Sequence, residues 1–555
     1  MSLFICKIFA ILVIYLGYFL YLLYTVQKNC YDVDRKKERQ VIKMAEFVTL
    51  APEKLSALRE MNPCLMSYNI EFAEVTGGTF WKAYTPEQIA GTEPFQVGKG
   101  GNITDMYKDL MQVYAPINLY DEKLRKLAKE LGTAWVRVSG TWATKTYYDF
   151  DGTCNGKVPE GYLNVLTNDQ WIGVLDFVKA IGAKLMISVA NCPGLHSADQ
   201  PWHPAEAEKI FALSKEYGVP IDGAEFANEP NMMEETGFPH GYTAADYRRD
   251  QDLFFVWLRK NYPECLCIGP SSVGDGLDFM GGDDNASGGG VEQLTKENVS
   301  TAELLEGTKE PLDVFSYHYY NGISDRLAMV MPSAHWAPEK ANSEEYLHVP
   351  IHCAEVYAPI RDKYAPNTEM WVTESGDAGG GGDTWASTYL DVLRTLNELA
   401  GFSTVTNGVI FHNTLAASDY GFLAREVFDP RPNYFAVLLW NRLMGTTCYD
   451  TKEQIREGAH VYAHSRKDGK EGVVYLVINN SLTETTTVEL PKEAERYTLA
   501  GQEGNVRATV MTLNDRPLVL GENNEVPELI PLAQAAGSRK DLETVHVQQL
   551  QEEQP

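Results

Sequence analysis

Positive charge is scarce in this sequence. Of its 555 residues, 48 are lysine or arginine and 76 are aspartate or glutamate, which gives a net charge of −28. A protein that binds nucleic acid needs clustered positive charge to neutralise phosphates. The composition therefore argues against nucleic acid as a partner. It leaves an anionic sugar allowed, because a few local donors can bind one carboxylate.

Paired cysteines and metal-binding motifs are also lacking. The nine cysteines are an odd number and show no framework spacing. Cys265 and Cys267 lie on an apolar run and are predicted to be strand residues, and no cysteine–histidine cluster has the spacing of a zinc site. We therefore expect no structural disulfide network, no metal and no cofactor.

Long hydrophobic runs are absent from most of the chain, but one lies near the N-terminus. Residues 8–26 form an uncharged, largely apolar run of 19 residues, which is long enough to cross a bilayer as a helix. No clear small-residue cleavage site follows it, which favours an uncleaved membrane anchor over the signal peptide of a secreted protein. Basic residues between 28 and 39 would keep the rest of the chain in the cytoplasm. Sequons favour an extracytoplasmic location, so the orientation stays open; they lie at Asn102, Asn285, Asn298 and Asn479.

From about residue 43, short β-branched or apolar runs alternate with amphipathic segments of helical period. This alternation is typical of repeated βα units around a parallel sheet. Eight such runs spread over nearly 400 residues predict an α/β fold, a (β/α)8 TIM barrel with inserted loops. The predicted strands are Leu65–Phe72, Trp135–Val138, Leu185–Ala190, Gly223–Ala227, Leu266–Gly269, Val314–Tyr317, Met370–Thr373 and Gly408–Phe411.

The pattern changes near Gly458. From there, short segments alternate apolar and polar residues between turn residues, which predicts a small antiparallel β-sandwich. We therefore divide the chain into an anchor and charged linker (1–42), a catalytic barrel (43–457), a β-sandwich domain (458–532) and a frayed polar tail (533–555). Residues 43–60 are a candidate for pairing with the β-domain.

Two glutamates directly end apolar runs. Glu229 follows the fourth predicted strand and Glu374 follows the seventh. Chemistry in such a barrel lies at the carboxyl ends of the strands, and these two strands lie on opposite sides of the ring, so the two carboxyl groups can face each other. Glycosidic cleavage needs one protonated carboxyl and one carboxylate. Other polar residues at strand ends are Glu71, Arg137, Thr141, Asn191, Asn228, His318, Tyr319, Tyr320, His412 and Asn413.

Several segments resemble a known family. Asn228-Glu229-Pro230-Asn231 resembles the acid/base motif of the retaining glycosidase clan that is built on this barrel. A narrower set, in order from about residue 43 to about 532, resembles the heparanase-like family, glycoside hydrolase family 79. The segments are Arg137–Thr141, Tyr317–Tyr320, Trp371–Gly381, Asp429–Tyr434, Leu513–Leu518 and Val526–Leu529.

The resemblance implies the catalytic roles. Glu229 would be the acid/base, and Glu374 would be the nucleophile that forms a covalent glycosyl-enzyme. Asn228 would bind the 2-hydroxyl of the sugar. His318, with Tyr320 or Tyr319, would position Glu374.

The resemblance also implies a substrate. Members of the family bind a uronate carboxylate through a glycine pair and a tyrosine, which match Gly380, Gly381 and Tyr420. Glycine lets backbone N–H groups approach an anion closely. Further positions that match the lining of the same pocket are Glu71, Thr141 and Asn191.

The leading hypothesis is a retaining β-glucuronidase, or a heparanase-like enzyme, that acts on uronate-containing glycans. Asp419 departs from the family pattern, because it places an anion close to the expected uronate carboxylate. A retaining β-glycosidase for a neutral glucoside, xyloside or galactoside is therefore an alternative. Another alternative is a membrane-anchored glycan-binding protein without catalysis. Endo or exo action and the oligomeric state stay open.

Overall fold

A closed barrel of parallel strands forms the larger part of the molecule. The computed structural model describes residues 46–97, 103–275, 299–329 and 331–552. Each barrel strand pairs with the next, and the eighth pairs with the first, so the predicted TIM-type barrel is confirmed. The strands are β1 Met66–Glu71, β2 Trp135–Ser139, β3 Lys184–Ser188, β4 Gly223–Glu225, β5 Leu266–Val273, β6 Val314–Ile323, β7 Glu369–Gly379 and β8 Ile410–His412.

A helix follows each strand and covers the outside of the barrel. Local signals set the ends of these helices. In the second helix, Thr167 and Gln170 form a capping box at the start and Gly182 takes a left-handed φ of 71° at the end. The helices are α1 Glu122–Glu130, α2 Asn168–Ile181, α3 Ala205–Glu216, α4 Ala244–Asn261, α5 Thr301–Leu305, α6 Glu344–Tyr364, α7 Val392–Val405 and α8 Pro432–Leu443.

Short elements are inserted at the carboxyl ends of the first two strands. After β1, Gly78–Trp81 pairs with Met111–Tyr114, and after β2, Thr146–Asp149 pairs with Asn164–Thr167. Short helices in the first insertion are Phe72–Thr76, Pro86–Ile89 and Ile103–Leu110.

The barrel interior changes character along its axis. The amino end is filled by large apolar side chains, among them Trp135, Met186 and Trp371. Towards the carboxyl end the interior becomes polar, with Ser188, Glu225, Ser271, Ser316 and Thr373 all buried. The apolar layer closes the bottom of the barrel, so the polar layer supports whatever lies at its mouth.

Two further sheets pack face to face as a sandwich. The core between them contains Val48 and Val488 from the smaller sheet and Val461 and Val477 from the larger one. The smaller sheet contains Glu46–Thr49, Thr486–Glu489 and Arg539–Leu542. The larger sheet contains Ser56–Glu60, Met444–Asp450, His460–Arg466, Val473–Asn479, Ala494–Gly501, Met511–Leu513, Arg516–Pro517, Leu532–Gln534 and His546–Glu552.

The sandwich includes segments from outside residues 458–532. Glu46–Thr49 and Ser56–Glu60 lie in the segment 43–60, which we named as a candidate for pairing with the β-domain, and each pairs with a sandwich strand. Met444–Asp450 lies in the larger sheet, although we placed the end of the barrel at residue 457.

The prediction of a frayed polar tail at 533–555 is wrong for the described part of that segment. His546–Glu552 is hydrogen-bonded on one side to Val473–Asn479 and on the other to Ala494–Gly501. The prediction failed because it took the polar Gln548 and Gln549 to be exposed, whereas both are buried in the sheet. One apolar side chain on each face, Val547 towards the barrel core and Leu550 towards the smaller sheet, holds the strand in place.

The Asn479 sequon is not available for modification in the folded chain. Asn479 is fully buried, and its Nδ2 donates to the carbonyl oxygens of Glu484, Leu542 and Glu543 over 2.9–3.0 Å. This sequon therefore gives no support to an extracytoplasmic location.

The predicted anchor at residues 8–26 and the sequons at Asn102, Asn285 and Asn298 lie outside the described residues. Within the parts that the structure describes, no helix combines the length and the apolar character needed to cross a bilayer.

Candidate active site

Glu229 and Glu374 meet at the mouth of the barrel. Glu374 lies within β7, and Glu229 follows β4 with a positive φ of 44° ahead of the turn that begins at Pro230. One carboxylate oxygen of each lies within 4.8 Å of the other. A non-glycine residue in the left-handed region is typical of a site where the surrounding structure imposes a functional geometry.

The Glu374 carboxylate is held by two donors. Arg137 Nη1 donates to its Oε1 over 2.9 Å, and the Tyr320 hydroxyl donates to its Oε2 over 2.7 Å. Burial by itself raises the pKa of Glu374, but the neighbouring His318 ring, the charge of Arg137 and these hydrogen bonds hold that pKa below its ordinary value. Glu374 is therefore an ionised carboxylate at neutral pH.

Arg137 also binds a second carboxylate, deeper in the barrel. Its Nη2 lies 2.6 Å from Oε1 of Glu225, and both side chains are almost completely buried. The hydroxyls of Ser139, Ser188 and Ser271 donate to the same carboxylate. We did not predict this pair, because Glu225 lies within an apolar run and looked like part of an ordinary strand.

The His318 ring bridges the two catalytic candidates. Its Nδ1 lies 3.1 Å from Oε1 of Glu229 and 3.8 Å from Oε2 of Glu374. Its Nε2 lies 3.4 Å from Nη2 of Arg137. Because a guanidinium can only donate, we assign the lone pair to Nε2 and the proton to Nδ1, which then donates to Glu229.

Asn228 lies next to the two glutamates, and the oxygen of its side-chain amide is hydrogen-bonded. Its Oδ1 accepts from Arg137 Nη2 over 2.7 Å. Within the described residues, no acceptor lies within hydrogen-bonding distance of its Nδ2. This donor is therefore free for a ligand.

Asn413 joins Glu71 to two tyrosines. Its Nδ2 lies 2.8 Å from the Tyr320 hydroxyl and 3.2 Å from both the Tyr420 hydroxyl and Oε1 of Glu71. Burial, and then the charge of Glu374, raises the pKa of Glu71 well above its ordinary value. We noted Asn413 at a strand end but gave it no role.

Not all of the predicted residues join this cluster. Thr141 is exposed at the rim, and the fully buried Asn191 is bound to His196 and Tyr242. Tyr319, the alternative to Tyr320, lies beside Glu398 and Arg394 on the opposite face of β6. Successive strand residues point to opposite faces, so only Tyr320 can reach Glu374.

Gly380 and Gly381 form a turn directly after β7, with φ values of 90° and 89°. Among the described residues, neither N–H has an acceptor. A Cβ on Gly379, at the start of this turn, would lie 3.6 Å from the Tyr320 ring, so the turn borders the cluster around Glu374. Asp419 is not a free anion at this place, because it is buried and paired with Arg326 over 2.5 Å.

Three groups of side chains in the described residues have the spacing of a metal site. They are Glu229 with His318 and Glu374, Asp325 with His335 and Asp383, and His348 with His352 and Glu355. In the second group, burial lowers the pKa of His335, but the carboxylates of Asp325 and Asp383, each 3.3 Å from its Nε2, raise it to about 10, so an imidazolium supplies the positive charge. That no metal or cofactor is needed stays a prediction.

Comparison with known proteins shows which proteins the chain resembles. No family model matches the chain. Heparanase-like protein 2 of Arabidopsis thaliana is 26% identical over 472 residues, which are 75% of this chain and 81% of that protein. Baicalin-beta-D-glucuronidase of Scutellaria baicalensis is 28% identical over 240 residues, which are 41% of this chain and 43% of that protein. The resemblance to the heparanase-like family is confirmed.

A solved structure shares the overall fold of the chain. The 4-O-alpha-L-rhamnosyl-beta-D-glucuronidase of Fusarium oxysporum superposes with a TM-score of 0.55 and 13% identity, over 91% of this chain and 99% of that chain. The relatives of the chain include glycosidases, and they support a glycoside hydrolase.

Proposed function

We propose that the protein is a retaining β-glucuronidase in which Glu374 is the nucleophile and Glu229 is the acid/base. The spacing of the two carboxylates is the observation that carries this proposal. One carboxylate oxygen of each lies within 4.8 Å of one of the other, whereas carboxyl groups lie about 5–5.5 Å apart in retaining enzymes and about 6.5–9.5 Å apart in inverting ones. The observed spacing leaves no room for a water molecule between Glu374 and a bound sugar.

In the first step, Glu374 attacks the anomeric carbon and Glu229 gives its proton to the leaving oxygen. The environment of each residue suits its role. Glu374 is kept ionised by Arg137 and Tyr320. Glu229 is the more exposed of the two, and His318 bonds to its Oε1 only, so Oε2 is free to carry the proton.

In the second step, Glu229 acts as a base. It removes a proton from water, the resulting hydroxide attacks the anomeric carbon, and the bond to Glu374 breaks. The sugar leaves with its original β-configuration, and Glu229 is again protonated.

The pocket also offers donors for a uronate. The free Nδ2 of Asn228 can bind the 2-hydroxyl, a contact that strengthens in the transition state. The N–H groups of Gly380 and Gly381 and the Tyr420 hydroxyl can bind the carboxylate. The name of the Scutellaria relative, a β-D-glucuronidase, supports a glucuronide substrate.

The alternatives are weaker on this geometry. A neutral β-glycoside was favoured by Asp419, but Arg326 neutralises that charge. A catalytically inactive glycan-binding protein would not need a carboxylate pair at this spacing. Anchored and secreted forms with an extracytoplasmic barrel both remain proposals.

The test is a panel of aryl β-glycosides with the purified protein. We expect hydrolysis of the glucuronide above that of the glucoside, xyloside and galactoside. A 2-fluoro glucuronide probe should label Glu374, and Glu374→Gln and Glu229→Gln should each abolish turnover of a poorly activated glucuronide. Glu235→Gln, an exposed glutamate on the turn after Glu229, is the matched control and should remain active. Labelling at another residue, or full activity of Glu374→Gln, would overturn the proposal.

A further inference from the structure

Arg326 links four loops at the mouth of the barrel. Its side chain is fully buried. The guanidinium donates to the carbonyl oxygens of Lys82 in the loop after β1 and of Gly380 and Gly382 in the loop after β7, over 2.6–3.2 Å. It also pairs with Asp419 in the loop after β8 over 2.5 Å. Arg326 itself lies in the loop after β6, so its guanidinium connects four loops around the glycine turn by hydrogen bonds.

The hydrogen bonds to the glycine turn fix the direction of its N–H groups. The carbonyl of Gly379 accepts from the Ser324 N–H over 2.9 Å. The carbonyl of Gly380 accepts from the Ser324 hydroxyl over 2.9 Å and from Arg326 over 3.2 Å. In a planar trans peptide the N–H of the next residue points away from the carbonyl. The N–H groups of Gly380 and Gly381 therefore point away from Ser324 and Arg326, and both are unoccupied among the described residues.

The charge of Arg326 has a second effect. Asp419 lies directly before Tyr420 in the sequence. Without a cation beside it, the Asp419 carboxylate would be an anion next to the proposed site for a uronate. Arg326 neutralises this carboxylate, and the Tyr84 ring lies 3.7 Å from its guanidinium carbon and covers it. Unpaired, the buried Asp419 charge would repel a substrate carboxylate with little screening by water.

We propose that Arg326 is a positioning residue that makes the pocket selective for a uronate over a neutral sugar. It holds the two amide donors in place and cancels the charge of Asp419, and it does not touch the reacting atoms. This inference rests on the proposed glycosidase function. An arginine suits this position because its planar fork spreads five donors over three nitrogens, whereas a lysine offers three donors from one nitrogen.

The experiment compares Arg326→Gln and Arg326→Lys with the wild type on aryl β-glucuronide and aryl β-glucoside. Hydrogen bonds to a charged group are worth enough to predict a fall of roughly tenfold to a hundredfold in kcat/KM for the glucuronide. The loss should lie mainly in KM, and the glucoside should change less than about threefold. Ser324→Ala, which removes one bond to the Gly380 carbonyl, should shift the ratio in the same direction by a smaller factor.

The controls separate this role from a structural one. Arg394→Gln removes another fully buried arginine, which pairs with Asp391 and Glu398, and should lower the thermal midpoint without changing the glucuronide-to-glucoside ratio. Calorimetry with free D-glucuronate and D-glucose tests binding without turnover. Tighter binding of glucuronate to the wild type than to Arg326→Gln, with equal binding of glucose, supports the inference.

Each contrary result has a separate meaning. Equal losses on both substrates, or a wild type that binds glucuronate no better than glucose, would overturn the role of Arg326. A wild type that cleaves no glycoside would overturn the proposed function instead. If Arg326→Gln does not fold, Ser324→Ala and Arg326→Lys carry the same comparison.

Discussion

Arg137 and Glu374 are joined by a hydrogen bond of 2.9 Å between Nη1 and Oε1. The same guanidinium binds Glu225 below, so the candidate nucleophile is the upper end of a buried three-residue network. Removing one member of such a network leaves an uncompensated charge in the interior.

We expect Arg137→Gln to destabilise the protein and to reduce its activity. Glu225 would remain buried without a cation, which costs about 3–5 kcal/mol. The thermal midpoint should therefore fall by several degrees or more. The double variant Arg137→Gln/Glu225→Gln should recover part of that loss without recovering activity, and a double variant less stable than the single one would contradict this account.

Tyr320→Phe should change the pH profile of catalysis. Its hydroxyl is one of the groups that hold the pKa of Glu374 below its ordinary value. Without it that pKa rises, and the acidic limb of the kcat/KM profile should move to higher pH by up to about one unit. Tyr319→Phe, which alters the neighbouring tyrosine on the opposite face, should leave the limb in place. A shift in both variants would contradict the assignment.

Glu71→Gln should make stability less sensitive to pH. Burial and nearby carboxylates raise the pKa of Glu71 well above its value in the unfolded chain. Folding therefore takes up a proton once the pH exceeds about 4.3, and stability falls as the pH rises towards the folded-state pKa. The thermal midpoint of the variant should exceed that of the wild type more at pH 8 than at pH 5. The exposed Glu87→Gln is the control, and a difference that does not vary with pH would refute the prediction.

A stop codon after residue 533 should prevent folding of the β-sandwich. The deletion removes His546–Glu552, which is paired on both edges, together with the buried Val547 and Leu550. We expect insoluble protein, or a large fall in the thermal midpoint measured by circular dichroism. A stop after residue 552 should leave the midpoint unchanged. A soluble 533-residue chain with the wild-type midpoint would show that the strand is dispensable.

Local patterns explain why the barrel and the two glutamates could be predicted. Runs such as Met370–Thr373 are apolar on both faces because both faces of a barrel strand are buried. The residue that ends such a run emerges at the mouth, so Glu229 and Glu374 could be located without knowing any contact.

The network beneath the glutamates could not be predicted in the same way. Glu225 and Arg137 are 88 positions apart, and Arg326 and Asp419 are 93 apart. Arg137 and Glu225 each lie between apolar neighbours, and nothing in the local sequence shows which distant opposite charge neutralises any of these four residues. The prediction of a frayed tail failed for a related reason. The polarity of the glutamines in the last strand predicted solvent exposure, but pairing of that strand on both edges buries them.

The position of the strand His546–Glu552 also constrains how the sheet folds during synthesis. Ser56–Glu60 at the start of the chain pairs with Met444–Asp450, and His546–Glu552 at the end fills the gap between Val473–Asn479 and Ala494–Gly501. Domains generally fold in order from the N-terminus during synthesis, but this sheet is not continuous until His546–Glu552 has left the ribosome. Until that moment the two halves of the sheet expose open strand edges, which can pair with strands of other chains.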